Sequence, residues 1–325
     1  RDHDGELVGL VTGPMTNLAI AIRRDPALPS RLRRLVIMGG AFHAHGNTTP
    51  VSEWNVAVDP EAAAEVFAAF GTGTAPAPIV CALDLTEQIV MTPDHVVRLA
   101  RRLPRARRRV EADLAAPGFG REKVLALAFR LLDEAYFRAG GEAYAKENGS
   151  FGLATLRREH VRVDADGVWF GYPAKSGQWR ESQVRDPVVA RAVRGLLARD
   201  DDGPDLLAWR NGDDTWHDVT SADIQECVKA HLGPEARPKD FRTWHATLLA
   251  AAGLAEHEAA RAERARRRVV AQVVREVAEE LGNTPAVCRA SYVDPRVVDL
   301  WERGQTIGRR RTRAAAERAL VALLA

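Results

Sequence analysis

Only three cysteines occur in 325 residues, Cys81, Cys227 and Cys288, an odd number with no C-x-x-C pair. That excludes a disulfide framework and a zinc knuckle, and all three read as small buried hydrophobes. Lysine is scarce: Lys123, Lys146, Lys175, Lys229 and Lys239 are five of 46 basic residues, the rest being arginine. Arginine suits bidentate binding of phosphate oxygens, a GC-rich genome produces the same bias, and composition does not choose between them. Aromatics make up 6%, and only four are tyrosines: Tyr136, Tyr144, Tyr172 and Tyr292. No run reaches the roughly 18 to 20 apolar residues of a membrane helix, and no basic-then-apolar leader opens the chain. A cytoplasmic address with no membrane partner is the expectation. The chain begins on Arg1, directly ahead of a buried-looking strand, as a fragment would.

What is present is a globular composition, 46% hydrophobic and 28% charged with a mean hydropathy of -0.24, long enough for two domains. The net charge of +2 hides an asymmetry. Residues 1 to 100 hold 7 Arg, no Lys and 11 Asp+Glu, so the remainder stands at +6. Different partners are expected for the two parts.

The first hundred residues alternate strands and helices: a strand over 7–12, a helix over 16–24, a strand over 35–38, a helix over 62–70 started by Asp59-Pro60, and a strand over 79–84. That order implies partial parallel α/β layering, with any site in the loops at the carboxyl ends of the strands. Near 98–104 the texture changes to an arginine-rich window, and the boundary is set between residues 99 and 100. Beyond it a helix is expected over 124–139 and a strand-turn-strand hairpin over 160–172 about Asp166-Gly167. Helices follow over 186–197, 221–231, 241–253, 256–281 and 294–303. The fold class is an α/β N-terminal segment joined to a mainly α domain carrying a small β-hairpin sheet.

Phosphodiester chemistry needs a nucleophile, cations for the equatorial oxygens and a proton for the leaving oxygen. Residues 101 to 325 hold no cluster of carboxylates suited to a two-metal site, so the alternative is an arginine clamp with a side-chain nucleophile. Tyr136, Tyr144 and Tyr172 fall on packing positions. Tyr292 lies instead in a polar segment, GNTPAVCRASYVDP, between a glycine turn and Asp294-Pro295.

The blocks YFRAGGEAYAKENGSFGLATLRREHV, FGYPAKSGQWR, WHDVTSADIQECV, KDFRTWHATLLAA and LGNTPAVCRASYVDP resemble, in order, those of the bacterial, poxvirus-like type IB DNA topoisomerases. The resemblance covers about 100–325. It implies that Tyr292 attacks a DNA phosphorus and holds the 3′-phosphate. Arg138 and Arg242 clamp the nonbridging oxygens, Lys175 protonates the leaving 5′-oxygen, and Asn283 donates to the phosphate. Double-stranded DNA is the implied partner, with no cofactor. Ala290 and Asp294 depart from the family, and the second is expected to add negative charge beside the nucleophile. Arg157, Arg158, His160, Lys239, Arg289 and the tail arginines 309–311 and 313 are expected along the DNA backbone. All tryptophans but Trp54 are expected in the core or an interface.

The blocks LVTGPMTNLAIAIRRDP, LVIMGGAF, GNTTPVSEWNVAVDPEAA and LDLTEQIVMTPDHV resemble the middle of the inosine-uridine nucleoside hydrolases. That family uses calcium. The resemblance implies a calcium-facing backbone carbonyl at Thr16 and ribose contacts from Asn47, Glu53 and Asn55, with Met38 near the sugar. The aspartate-rich calcium motif of the family is not matched, so the segment is expected to be vestigial. The expected activity is therefore ATP- and metal-independent DNA relaxation. Tyrosine-recombinase chemistry, calcium-dependent nucleoside cleavage by a completed segment, and DNA binding without turnover remain the alternatives.

Overall fold

A computed structural model describes residues 3–71, 73, 75–86, 93–142, 145–146, 149–174, 177–212, 215–258 and 262–325. They fall into two compact units, Arg1–Met91 and Thr92–Ala325.

In the first unit, β1 (Val8–Val11), β2 (Arg34–Met38) and β3 (Ile79–Cys81) form a parallel sheet in that order. The helices are α1 (Thr16–Arg24), α2 (Leu28–Arg31), α3 (Trp54–Ala57), α4 (Pro60–Phe70) and α5 (Leu83–Thr86). Helix α4 starts where the sequence says it must: the Asp59 carboxylate accepts the Ala62 N–H at 3.0 Å and Pro60 occupies the first turn. Apolar residues Ala19 and Ile22 of α1 and Ala63, Val66 and Phe70 of α4 bury Leu35 and Ile37 of β2. The register places Leu10, Val36 and Ile79 side by side on the opposite face. There Leu10 is 68% exposed and Ile79 43%. Parallel sheets normally carry helices on both faces; among the described residues of this unit, helices cover one face. The expected strand over 79–84 ends early because Asp84 turns back, its carboxylate accepting the N–H groups of Phe42, His43 and Ala44. Those donors hold its pKa down to about 2.

The second unit is mainly helical. Helix α6 (Pro93–Ala115) runs unbroken through the 98–104 window, with Pro104 inside it. All its arginines but Arg107 ride on an outer face because Leu99, Leu103, Ala106 and Val110 follow one buried stripe. The remaining helices are α7 (Arg121–Ala135), α8 (Pro187–Leu197), α9 (Ser221–Leu232), α10 (Pro238–Leu254), α11 (Glu263–Leu281), α12 (Pro285–Ser291), α13 (Arg296–Glu302) and α14 (Arg313–Leu324). The expected hairpin is present as β4 (Val161–Val163) and β5 (Val168–Pro173), and β6 (Trp179–Val184) joins it to make a three-stranded antiparallel sheet. A further hairpin pairs β7 (Ala208–Arg210) with β8 (Trp216–Asp218).

Several helix boundaries differ from the sequence reading. Helix α7 stops at Ala135 rather than 139, because Tyr136 takes the left-handed conformation at φ 58°. Glu256 lies before α11, in a turn that packs under the indole N–H of Trp301 at the His257 carbonyl. Asp294 stands outside α13, two residues before its first residue, and its carboxylate accepts the Arg296 N–H. Trp244 and Trp301 are in the core as expected, whereas Trp179 is exposed and lies over the bare Cα of Gly171. Among the described residues no helix is long and apolar enough to cross a membrane.

Candidate active site

The site is assembled at the ends of helices. Helix α7 is amphipathic and buries Leu131, Leu132 and Ala135. At Tyr136 the chain reverses, and Phe137 then plugs into the sheet, edge-on to Phe170 and stacked on Tyr172 at 5.7 Å. This reversal brings Arg138 out of the helix. Its backbone is fixed by the Leu153 N–H donating to the Arg138 carbonyl at 2.8 Å. Gly140, at φ +84°, lets the strand of chain pass Gly152: a Cβ there would lie 2.9 Å from the Gly152 Cα.

Arg242 belongs to α10 and is 1% exposed. Its Nη1 donates to the Tyr136 carbonyl and its Nη2 to the Leu281 carbonyl at 2.8 Å. Both acceptors sit at helix C-termini, where the macrodipole is negative and a buried cation is stabilised. The guanidinium carbon lies 5.1 Å from the centroid of the Tyr292 ring. Burial and neighbouring Arg138 lower the Arg242 pKa, and Tyr292 partly offsets them.

Helix α11 ends on Gly282 in the left-handed conformation, and Thr284 caps α12 through its hydroxyl at the Val287 N–H. Between the two caps, Asn283 meets Arg138, whose Nη2 donates to the Asn283 Oδ1 at 2.6 Å. Tyr292 is the residue after α12 and is half-buried. The Thr247 hydroxyl accepts the Asp294 N–H at 3.1 Å and shares its one proton between the Thr243 carbonyl at 2.8 Å and, more weakly, the Tyr292 carbonyl at 3.3 Å. Thr247 lies on α10, so the peptides on either side of Val293, directly after Tyr292, are fastened to the helix that carries Arg242.

Arg138, Arg242, Lys239 and Tyr292 line one open cleft of about 630 Å³, with Ala139, Gly140 and Gln225 in its walls. Four of the sequence-predicted residues therefore converge there, and Asn283 is bound to one of them. Lys175 and Tyr144 lie outside the described residues; Ala174, the neighbour of Lys175 in sequence, lines a smaller cavity with Arg138 and Gly282.

The charge expected from Asp294 is neutralised. Its carboxylate pairs with Arg296 at 2.8 Å and accepts the Arg296 N–H at 2.9 Å. Ala290 and Arg289 are exposed on α12.

The cations expected along DNA divide into two groups. Arg157 is part-exposed over the Phe151 ring, and Lys239 and Arg289 are exposed. Arg158 is instead tied to Asp201, through its carboxylate and its carbonyl, and to the Arg199 carbonyl. His160 accepts the Arg157 N–H at Nδ1, packs against Phe151 at 4.5 Å, and has its pKa lowered by burial. Among the tail arginines, Arg309 pairs with Glu256, and Arg310 donates to the Ile307 carbonyl. Arg313 is committed to a buried network with Asp133, His245, Arg107 and Glu317. Burial lowers the pKa of His245, while His245 and Arg107 hold Asp133 low.

One residue at the site was not singled out by sequence: Arg180 on β6, 8% exposed between the ends of α7 and α11. The alternation along β6, with Arg180 buried between exposed Trp179 and Glu181, was the available signal.

In the first unit, Met38, Glu53 and Asn55 gather at the carboxyl end of β2. The Asn55 amide donates to the Met38 carbonyl at 2.9 Å. Glu53 accepts the N–H groups of Gly40, Asn55 and Val56. Asn47 accepts the Trp54 N–H, and the Thr16 hydroxyl donates to Asp59. Thr16 opens α1, so its carbonyl is oriented along the helix toward the amide four residues on. The Glu53 carboxylate is already occupied as the cap of α3, and among the described residues no three His, Cys, Asp or Glu side chains gather as a metal site. A hard divalent cation needs six to eight oxygens, carboxylates among them, and this set does not fit calcium.

Residues 94–314 match the family model for the catalytic core of eukaryotic DNA topoisomerase I. Residues 1–169 match that for inosine-uridine preferring nucleoside hydrolase. The DNA topoisomerase 1B of Acanthamoeba polyphaga mimivirus is 24% identical over 207 residues, covering 62% of this chain and 61% of that protein. The putative pyrimidine-specific ribonucleoside hydrolase RihB of Shigella boydii is 43% identical over 99 residues, 30% of this chain and 38% of that protein. Among solved structures, the plant nucleoside hydrolase PpNRh1 is 34% identical with a TM-score of 0.27, covering 31% of this chain and 30% of its own. The chain spans less than two thirds of each of these relatives.

Proposed function

The chain belongs to the DNA topoisomerase I catalytic-core family over 94–314 and to the inosine-uridine preferring nucleoside hydrolases over 1–169, and we propose that its activity resides in the former. In this reading the Tyr292 hydroxyl oxygen attacks a phosphorus of double-stranded DNA. The bond from phosphorus to the 5′-oxygen breaks, a bond from phosphorus to the tyrosine oxygen forms, and the phenolic proton is lost to solvent. Lys175 supplies the proton that the leaving 5′-oxygen takes up. One phosphodiester replaces another, so religation is the reverse step and needs no ATP.

The supporting observation is the convergence of Tyr292, Arg138, Arg242 and Lys239 on one cleft. The two guanidiniums there neutralise charge on the nonbridging oxygens as the phosphorus becomes five-coordinate, which is the electrostatic task a metal would otherwise perform. Arg138 holds the Asn283 carbonyl oxygen, and the buried Asn283 Nδ2 has no protein partner. That amide is left as a donor for a phosphate oxygen. Arg157 and Arg289 track the DNA backbone; Arg158 and His160, held by their own neighbours, serve to shape the strand they precede.

Supercoiled plasmid incubated with the protein in EDTA without ATP tests the reading. Relaxation is expected, with a covalent adduct on the 3′ side of a nicked strand, and Tyr292→Phe should abolish both. Unchanged supercoiling at high enzyme and low salt would count against a topoisomerase. Relaxation by the monomer on unrelated DNA would separate it from a tyrosine recombinase. The N-terminal unit is proposed not to turn over, and ribose release from inosine with calcium would contradict that.

A further inference from the structure

Three arginines from separate elements cap two helix ends. Arg138 donates to the Gly282 carbonyl at 3.3 Å, and Arg242 bridges Tyr136 to Leu281. Arg180 reaches across the same gap one layer back, its Nη2 lying 3.3 Å from the Ala135 carbonyl and 3.5 Å from the Glu280 carbonyl. Its guanidinium also meets the Tyr172 hydroxyl. Gly282 is shaped to this side chain: a Cβ there would fall 2.2 Å from the Arg180 Nη1.

We infer that Arg180 is a positioning residue for strand cleavage, spacing the ends of α7 and α11 so that Arg138 and Asn283 present to the scissile phosphate together. This rests on the topoisomerase reading above. Arg138 follows Ala135 by three residues and Asn283 follows Glu280 by three, so the two carbonyls that Arg180 holds are those from which both groups are suspended. Stability does not explain a buried guanidinium here, since well-packed apolar residues usually serve as well or better. Its Nε is buried without a partner, a cost that packing alone would not retain. The charge also lies beside Arg138, and mutual repulsion directs Arg138 away from the core, toward Asn283 and the cleft. Burial and Arg138 lower the pKa of Arg180 accordingly.

The test is single-turnover cleavage of a labelled duplex by the full chain, with either a phosphodiester or a methylphosphonate at the scissile position. The methylphosphonate lacks one charged oxygen and so depends less on the arginine and amide clamp. Arg180→Met should slow phosphodiester cleavage by about 10²-fold, the scale expected for a small misplacement of catalytic groups, without changing duplex affinity. Its deficit should shrink on the methylphosphonate. Arg180→Lys keeps the charge but lacks the fork that spans both carbonyls, and should remain slow; if Arg180→Met does not fold, this variant carries the comparison. An unaltered rate, an equal deficit on both substrates, or full recovery with lysine overturns the inference. A native chain that forms no adduct on either substrate overturns the topoisomerase reading and this inference with it.

Discussion

Arg138 and Asn283, separated by 145 positions in sequence, are joined by a hydrogen bond of 2.6 Å from Nη2 to Oδ1. The bond fixes which way the amide faces, leaving Nδ2 as the donor. Asn283→Asp keeps the acceptor for Arg138 but removes that donor and places a negative charge beside the phosphate. It should therefore cleave DNA more slowly than Asn283→Ala, with the alanine itself down by about 10²-fold, the cost of one oxyanion donor. Single-turnover cleavage measures both, and an aspartate variant faster than the alanine would refute the assigned orientation.

Gly282 and Gly308 share a backbone φ of +61° but differ in surroundings. At Gly308 the nearest atom to an added Cβ is 3.9 Å away, whereas at Gly282 it is the Arg180 Nη1 at 2.2 Å. Gly308→Ala should cost about 1 kcal/mol for the left-handed conformation alone. Gly282→Ala should cost about 1–3 kcal/mol more through steric overlap. Urea unfolding of the two variants provides the comparison.

The buried His245 remains neutral in the folded protein, its pKa held below the ordinary value chiefly by burial. An unfolded chain protonates this histidine near pH 6.5, and the folded one does so only at lower pH. Stability is therefore complete above about pH 6.5 and should fall below it, by up to about 1.4 kcal/mol per pH unit for the single proton. His160, also shifted down, adds to the same limb. Denaturation midpoints at pH 7.5, 6.5 and 5.5 follow the loss, and His245→Asn should flatten it. An unchanged slope in that variant would assign the effect elsewhere.

Arg296 neutralises the buried Asp294 and also donates to the Leu324 carbonyl at 2.9 Å. Arg296→Ala strands the carboxylate and should destabilise the second unit by about 1–3 kcal/mol. The double variant with Asp294→Asn should recover part of that loss, because the stranded charge is gone. Thermal unfolding of the three variants checks the order.

Much of the arrangement is legible in the amino-acid sequence. Capping and spacing mark α1, α4, α8, α9 and α10, and ordered sequence blocks draw attention to Tyr292, Arg138, Arg242, Lys239 and Asn283. Less legible are features decided by distant contacts. The left-handed turn at Tyr136 carries no glycine to announce it; its carbonyl is held by Arg242, 106 positions later. The strand β6 is hidden because its sequence, WRESQV, is polar, and its pairing with β5 supplies what local propensity does not. Arg313 and Arg158 look like surface cations because their buried or part-buried carboxylate partners Asp133 and Asp201 lie 180 and 43 residues away. Asp294 looks like a free charge although Arg296 is two residues on, since facing in such a turn depends on backbone geometry.

Thr247 gives the reactive segment a particular mechanical character. Because the Asp294 amide donates to the Thr247 hydroxyl, which also shares its proton between the Thr243 and Tyr292 carbonyls, a strand joined to the Tyr292 phenol would be moored close to the helix that carries Arg242. Torsional relief would then come from the unattached portion of the duplex spinning in place, while the protein itself stood as the stator.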